Sequence, residues 1–187
     1  MNNTVLLYCM NGEQGGNLAA NDRGLMFGDG VFETIAVRAG RPGFWARHMA
    51  RLQAGCQRLG IPAVDESRLL AEAGLLLGDA ASGQDHVLKI IVTRGPGTRG
   101  YRPDPSAIPT RILQLHAWPD MPAGDDGIRA TMCVLRLGTN PQLAGIKHLN
   151  RLEQVLARAE WDDDGMREGL LLDQAGRVLE GTRSHLF

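Results

Sequence analysis

Two ionisable residues in the second half of the chain could together serve a cofactor. Lys147 lies in the run GIKHLNR (145–151), between a predicted loop and an amphipathic helix pattern. Glu180 lies in LEGT (179–182), at the end of a strand–turn–strand pattern. A lysine amine forms a Schiff base with an aldehyde, and a carboxylate pairs with a protonated pyridine nitrogen. Pyridoxal phosphate needs both groups, so the two residues predict a site for this cofactor.

Composition limits the class of protein. The 187 residues favour one domain or two small ones. Hydrophobic residues at 43% and charged residues at 22% are typical of a soluble globular protein. A net charge of −1 gives no electrostatic reason to expect nucleic acid or an anionic membrane. The chain has neither a signal-peptide pattern nor a long apolar run, so we expect a cytoplasmic protein.

Cysteine and histidine spacing argues against metal or disulfide chemistry. Cys9, Cys56 and Cys133 are odd in number and lack CxxC spacing, so we expect reduced, buried thiols. The five histidines show no zinc spacing, and the acidic run 162–164 does not match a calcium loop. We therefore predict no metal. A serine-hydrolase GxSxG motif is also missing.

The first half of the sequence alternates between strand and helix patterns. In the strand 31–37, Val31, Glu33, Ile35 and Val37 share one face. Asn11-Gly12 is a typical hairpin turn, and Gly28-Asp29-Gly30 is another tight turn. The remaining predictions are a helix at 45–59, a helix capped by Asp65 with Gly78 as its stop and Leu69, Leu70, Ala73, Leu76 and Leu77 on its apolar face, and strands at 5–8, 87–93 and 111–116.

A segment rich in proline and glycine, 117–127, is the predicted boundary between domain 1–116 and domain 128–187. The second domain is expected to contain strands at 128–136, 169–172 and 177–180. It should also contain a helix at 149–161, buried through Leu152, Val155, Leu156 and Ala159. Since both halves mix strands, hairpins and helices, the predicted class is α+β with two mixed α/β domains.

Two segments of the first domain could bind anions. Arg51 lies on the helix at 45–59, and its forked guanidinium suits a phosphate. The loop RGPGTRGY (94–101) is rich in glycine and follows a strand, so its backbone N–H groups could bind an anion. It also contains two arginines. A solvated arginine and a plain flexible loop are the alternative interpretations of these two features.

Four sequence runs resemble one enzyme family. They are DRGLMFGDGVFET (22–34), HMARL (48–52), RLGTNP (136–141) and LAGIKHLNRLEQVL (143–156). Together they resemble the fold type IV pyridoxal-phosphate enzymes, the family of branched-chain and D-amino-acid aminotransferases. Within that family, the runs around Lys147 and at 94–101 are most similar to the aminodeoxychorismate lyases.

The resemblance implies a role for each matching residue. It makes Lys147 the Schiff-base lysine and the general acid and base, Glu180 the partner of the pyridine nitrogen, and Arg51 a phosphate contact. It also makes Phe32, Arg99 and Tyr101 candidates for contacting the substrate. Family members are usually homodimers, so we expect a homodimer acting on a small-molecule substrate.

The resemblance also implies an activity and a length. The expected reaction is that of the lyases, with a D- or branched-chain aminotransferase as the alternative. A non-catalytic fragment that dimerises or binds a partner is a third possibility. Family members continue beyond the position of Phe187, so we expect the second domain to be incomplete in this sequence.

Overall fold

The computed structural model describes residues 5–80, 83–119 and 127–186. The chain divides into two compact units. The first unit comprises Met1–Asp120 together with Gly145–Leu149, and the second comprises Met121–Ala144 and Asn150–Phe187. Residues 120–126, most of the predicted linker at 117–127, lie outside the described residues. The short segment 145–149 carries Lys147, and its place in the first unit was not foreseen.

A six-stranded antiparallel sheet forms the centre of the first unit. Its strands are β1 (Val5–Met10), β2 (Glu13–Gln14), β3 (Gly30–Arg38), β4 (Arg41–Pro42), β5 (His86–Thr93) and β6 (Thr110–Ala117). They are ordered β2-β1-β6-β5-β3-β4. The predicted hairpin over Asn11-Gly12 is confirmed, because Met10 pairs with Glu13 and both turn residues have positive φ.

One face of this sheet is buried beneath two helices. Val31, Glu33, Ile35 and Val37 are all buried, as the alternation predicted. The helices are α2 (Trp45–Leu59) and α3 (Glu66–Gly78). The other face, which we call the outer face, carries Phe32 and Thr34 of β3 and Lys89 of β5, since Thr34 pairs in register with Lys89.

Both long helices were predicted correctly in their bounds. α2 buries Met49, Leu52 and Cys56. The Asp65 carboxylate caps α3 by accepting a hydrogen bond from Ser67 N, although the C-cap is Asp79 and Gly78 is the last helical residue. One detail was wrong: Leu70 is 49% exposed, because the buried stripe of α3 runs through Leu69, Glu72, Ala73 and Leu76.

A short helix, α1 (Arg23–Phe27), was missed. Asp22 caps its first turn by accepting from Gly24 N at 2.8 Å, and Gly28 ends it with φ of 68°. The turn predicted at 28–30 is therefore the end of a helix followed by the start of β3. Five residues are too few to show helical periodicity, so only the cap residues could have indicated this helix.

The second unit contains three strands and one helix. These are β7 (Arg129–Leu137), α4 (Leu152–Arg158), β8 (Met166–Asp173) and β9 (Val178–Gly181). β7 and β8 are parallel, as expected of strands joined through a helix, and β8 and β9 form an antiparallel hairpin. The architecture is mixed α/β, as predicted.

The helix prediction in this unit was wrong in length and burial. α4 has seven residues where 149–161 was predicted, and Leu152, Val155 and Leu156 are 75%, 59% and 60% exposed. Ala159 is exposed too, and Ala157 is the buried residue. Apolar spacing indicates an amphipathic helix, but which face is buried depends on the layer that it meets.

No helix among the described residues is long and apolar enough to cross a membrane. The three cysteines are buried and form no disulfide, as expected.

Candidate active site

Lys147 is positioned by pairing with the start of β3. Its carbonyl accepts a hydrogen bond from Phe32 N at 2.9 Å, and Leu149 N donates to Gly30 O at 3.0 Å. A Cβ at Gly30 would lie 2.6 Å from Val92 O and 2.7 Å from Leu149 Cδ1, so only glycine allows this close approach. A strand-like contact therefore fixes the Lys147 backbone, where the sequence had suggested only a position ahead of a helix.

The Lys147 side chain lies over the ring of Phe32. Its Nζ is 4.6 Å from the ring centroid, and Lys89 Nζ is 5.5 Å from the same centroid. These are the only two lysines of the chain. Both approach Phe32 on the outer face, within reach of a cation–π interaction. The outer face thus concentrates positive charge around one aromatic ring.

Lys89 was missed in the sequence analysis. Burial lowers the pKa of its ammonium below the ordinary value. A charged residue inside the apolar strand run VLKII (87–91) was the available signal, because such a residue faces either a partner or a site. Its position beside Phe32 makes it a further candidate for contacting an anionic ligand.

Arg51 belongs to a charge cluster that the sequence did not reveal. Its Nε and Nη2 donate to the two carboxylate oxygens of Glu33 at 2.6 and 2.5 Å, and His48 Nδ1 lies 2.7 Å from Glu33 Oε2. Glu33 is fully buried, whereas the Arg51 side chain is 41% exposed. The hydrogen-bonded carboxylate raises the pKa of Arg51, so the guanidinium stays charged.

The two hydrogen bonds from Arg51 compensate the buried charge of Glu33, which allows a carboxylate on the buried face of β3. They also fix the plane of the Arg51 guanidinium. The predicted contact between Arg51 and a phosphate is neither shown nor excluded by this geometry, so it stays a prediction.

Glu180 lies on β9 of the second unit and is half-buried. Gln154 Nε2 of α4 donates to Glu180 Oε1 at 3.2 Å. Burial lowers the pKa of the nearby Arg151, and the charge of Glu180 opposes that effect. Among the described residues, the buried Oε1 of Gln154 has no hydrogen-bond partner. The carboxylate is thus held from α4 by one amide hydrogen bond.

Of the two arginines in the loop at 94–101, Arg94 is buried and Arg99 is exposed. Arg94 is buried, pairs with Asp29 at 2.7 Å and donates to the carbonyls of Leu59 and Gly60. It therefore joins the end of α2 to the turn that precedes β3, and the predicted binding of an anion by the backbone N–H groups of this loop stays a prediction. Arg99 and Tyr101 are exposed, with Tyr101 at 83%.

The backbone of the same loop is fixed by Arg23. Its Nη1 donates to Gly100 O at 3.1 Å and its Nη2 to Tyr101 O at 2.8 Å, while its Nε pairs with Asp29. The Tyr101 ring lies 5.3 Å from that of Phe27. The loop that carries both predicted substrate contacts is therefore anchored at its C-terminal end, and the side chains of Arg99 and Tyr101 are exposed.

The chain belongs to the amino-transferase class IV family, whose model matches residues 30–187. The resemblance to the fold type IV enzymes is therefore confirmed. Members of this family depend on pyridoxal phosphate.

Three members of the family are similar to this chain over most of its length. It is 34% identical to the aminodeoxychorismate lyase of Vibrio harveyi over 97% of its own length and 66% of the relative's. It is 49% identical to the solved 4-amino-4-deoxychorismate lyase of Pseudomonas aeruginosa, with a TM-score of 0.87 over 95% of this chain and 65% of that one. It is 32% identical to a putative branched-chain-amino-acid aminotransferase of Methanocaldococcus jannaschii, over 94% of this chain and 61% of the relative. The chain thus spans just under two thirds of the length of these proteins.

The first unit contains a lysine amine and an arginine whose guanidinium plane is fixed, those of Lys147 and Arg51, and the second unit contains the carboxylate of Glu180. These are the kinds of group that bind the aldehyde, the phosphate and the ring nitrogen of pyridoxal phosphate, so the residues fit this cofactor by chemical type. Their individual roles stay predictions. Among the described residues, no cluster of histidine, cysteine or acidic side chains could hold a metal ion.

Proposed function

We propose that this protein is a pyridoxal-phosphate-dependent aminodeoxychorismate lyase. It would convert 4-amino-4-deoxychorismate to 4-aminobenzoate and pyruvate, a step in folate biosynthesis, in the cytoplasm. The two lyases at 34% and 49% identity support the reaction. The observation that carries the proposal is local: both lysines of the chain meet at Phe32, on the outer face.

Lys147 carries the proton transfers in this proposal. When bound, the cofactor supplies an electrophilic carbon and a ring that accepts electrons. Lys147 would hold the cofactor, and as a free amine during turnover its Nζ would take the proton from the amine-bearing ring carbon of the substrate. The bond between the ring and the enolpyruvyl oxygen would break with its electron pair leaving on the oxygen, and the released enol would take up a proton at carbon to become pyruvate. Loss of this group makes the ring aromatic, which drives the reaction forward.

The remaining residues hold cofactor and substrate. Glu180 would keep the cofactor ring nitrogen protonated, and Arg51 would contact the phosphate through the part of its guanidinium that does not pair with Glu33. The substrate carries two carboxylates. Arg99, Tyr101 and Lys89 are the groups that we assign to them, with Phe32 packing against the substrate ring between the two lysines.

Reductive trapping tests the proposal directly. Borohydride treatment of the protein with pyridoxal phosphate should attach the cofactor irreversibly to Lys147, and peptide mapping would locate it. Lys89 is the natural control, because it is the only other lysine and faces the same ring. Label on Lys89 instead, or no label on the folded protein, would reject the assignment.

An aminotransferase of the same fold is the second candidate, supported by the relative from Methanocaldococcus jannaschii at 32% identity. Product analysis separates the two activities. A lyase releases pyruvate in step with 4-aminobenzoate and leaves the cofactor as the aldehyde. An aminotransferase leaves the cofactor as the amine after one half-reaction with an amino acid.

Self-association is also part of the proposal. A homodimer is the assembly that the family resemblance implies, and sedimentation of the chain with and without pyridoxal phosphate measures it. A folded chain that associates but neither binds the cofactor nor releases pyruvate would favour the third hypothesis, a non-catalytic module.

A further inference from the structure

A buried carboxylate of the second unit accepts hydrogen bonds from the turn that follows Glu180. Glu168 is 4% exposed. Its Oε1 accepts from Thr182 N at 2.9 Å, from Thr182 Oγ1 at 2.5 Å and from Gly169 N at 3.0 Å, and its Oε2 accepts from Ser184 Oγ at 2.5 Å. Four donors therefore converge on one side chain, three of them from the turn at 181–184.

The turn is shaped to let Glu168 in. A Cβ at Gly181 would lie 2.9 Å from Glu168 Cδ and 2.5 Å from Ser184 Oγ, so glycine leaves the space that the carboxylate fills. Gly181 N donates to Ser184 O and Thr182 N also donates to Gly169 O, which closes the turn against β8. Glu180 is the residue immediately before this turn, so its backbone direction is set there.

The other end of β9 provides an internal comparison. Asp173, 7% exposed, accepts from Ala175 N and Arg177 N through Oδ1 and from Arg177 Nε through Oδ2. It holds the hairpin turn between β8 and β9. Two buried carboxylates thus fix the two ends of one strand, and only the Glu168 end adjoins Glu180.

We propose that Glu168 is a positioning residue for the reaction: by fixing the turn at 181–184 it sets the position of Glu180, whose carboxylate would pair with the ring nitrogen of the cofactor. The inference rests on the proposed function. Glu168 itself touches neither cofactor nor substrate in this scheme. It acts through the backbone, while Gln154 acts on the Glu180 carboxylate directly.

The charge state supports this assignment. Burial alone would raise the pKa of Glu168, but hydrogen bonds from Ser184, Thr182 and Gly169 outweigh burial and hold the pKa below its ordinary value. The side chain is therefore an ionised acceptor near neutral pH. A glutamine in its place would present an NH₂ group to donors that need an acceptor, which loosens the turn without changing its volume.

The test compares Glu168→Gln with Asp173→Asn and Glu180→Gln in the cofactor-loaded protein. The readouts are thermal stability, the dissociation constant of pyridoxal phosphate, and the pH titration of the visible absorption band of the lysine-bound cofactor. We expect Glu168→Gln and Asp173→Asn to lose similar stability. Only Glu168→Gln should shift the titration in the direction of Glu180→Gln, with turnover reduced roughly tenfold, as for other outer partners of a reactive site.

Each outcome decides something. If Glu168→Gln titrates like Asp173→Asn, the inference falls while the proposed function stands. If the parent protein binds no cofactor, or Glu180→Gln leaves the titration unchanged, the role of Glu180 fails and the inference fails with it. Should Glu168→Gln not fold, Ser184→Ala removes a single donor at an exposed residue and must shift the titration in the same direction, by less.

Discussion

The two units differ in how completely they bury their apolar residues. Among the described residues, the main core of the first unit contains 17 buried residues from β1, β3, β5, β6, α2, α3 and the segment between the helices. The corresponding cluster in the described part of the second unit contains three, Cys133, Ala157 and Leu171. In the second unit Val134 is 83% exposed and Leu152 75%. A sheet covered by two helices forms a closed layer, whereas three strands and a seven-residue helix do not.

The charged groups show the same contrast. In the first unit Glu33 and Glu72 are buried, and each accepts hydrogen bonds from two nitrogens of one arginine, Arg51 and Arg111 respectively. In the second unit the pair of Arg129 and Asp163 lies at the surface, with side chains 65% and 47% exposed. The first unit therefore holds paired charges in its interior. In the second unit, buried carboxylates serve mainly to hold turns.

The largest expected change in stability comes from breaking a buried ion pair, compared with breaking an exposed one. Arg111→Met leaves Glu72 buried without its partner and should cost about 3–5 kcal/mol of unfolding free energy. Arg129→Met breaks the exposed pair and should leave stability unchanged within error. Urea unfolding measures both. The double variant Arg111→Met/Glu72→Leu should recover much of the loss; if it does not, the cost comes from packing and not from the stranded charge.

Core truncation should give the next largest effect. Leu113→Ala, at a fully buried position of β6, should cost roughly 2–5 kcal/mol because the close-packed core cannot collapse around the cavity. Leu171→Ala in the small core of the second unit should cost less, since its neighbours can relax. Hydrogen exchange resolved by peptide reports each unit separately. Equal losses would show that the second unit is packed as tightly as the first.

The pH dependence of stability should reveal the contribution of Lys89 in the first unit. Burial lowers the pKa of Lys89 from its ordinary 10.5, so the folded state releases its proton before the unfolded state does. Between the folded pKa and 10.5 the unfolded chain binds more protons, and this residue therefore makes stability rise with pH. Lys89→Met should flatten that rise in chemical unfolding measured across this range. An unchanged slope would mean that Lys89 is solvated.

The smallest effect is expected on the exposed face of α4. Leu156→Gln replaces a side chain that is 60% exposed and should change stability by no more than about 0.5 kcal/mol, while reducing self-association of the chain. Leu76→Gln, on the buried face of α3, is the matched control and should be strongly destabilising. A loss of several kcal/mol from Leu156→Gln would show that this face is covered in solution.

Much of the architecture could be predicted from local pattern. α2 was predicted with its observed bounds because 15 residues show several turns of periodicity. The alternation in β3 and the hairpin over Asn11-Gly12 were equally local signals. α1 was missed because its five residues show no period, and α4 was overextended because its apolar spacing continues into residues that are not helical.

For the site, the sequence determined the candidates, and the tertiary structure decided their neighbours. The motifs around Lys147 and Glu180 gave the family and its cofactor. They could not show that Lys147 pairs with β3 or that Lys89 contacts the same ring, that of Phe32. Nor could they show that Arg51 donates hydrogen bonds to Glu33 or that Arg94 is buried. Each of these contacts joins residues far apart in the chain. Their geometry depends on strand register and on which face of an element is buried, and both are fixed only when the layers pack.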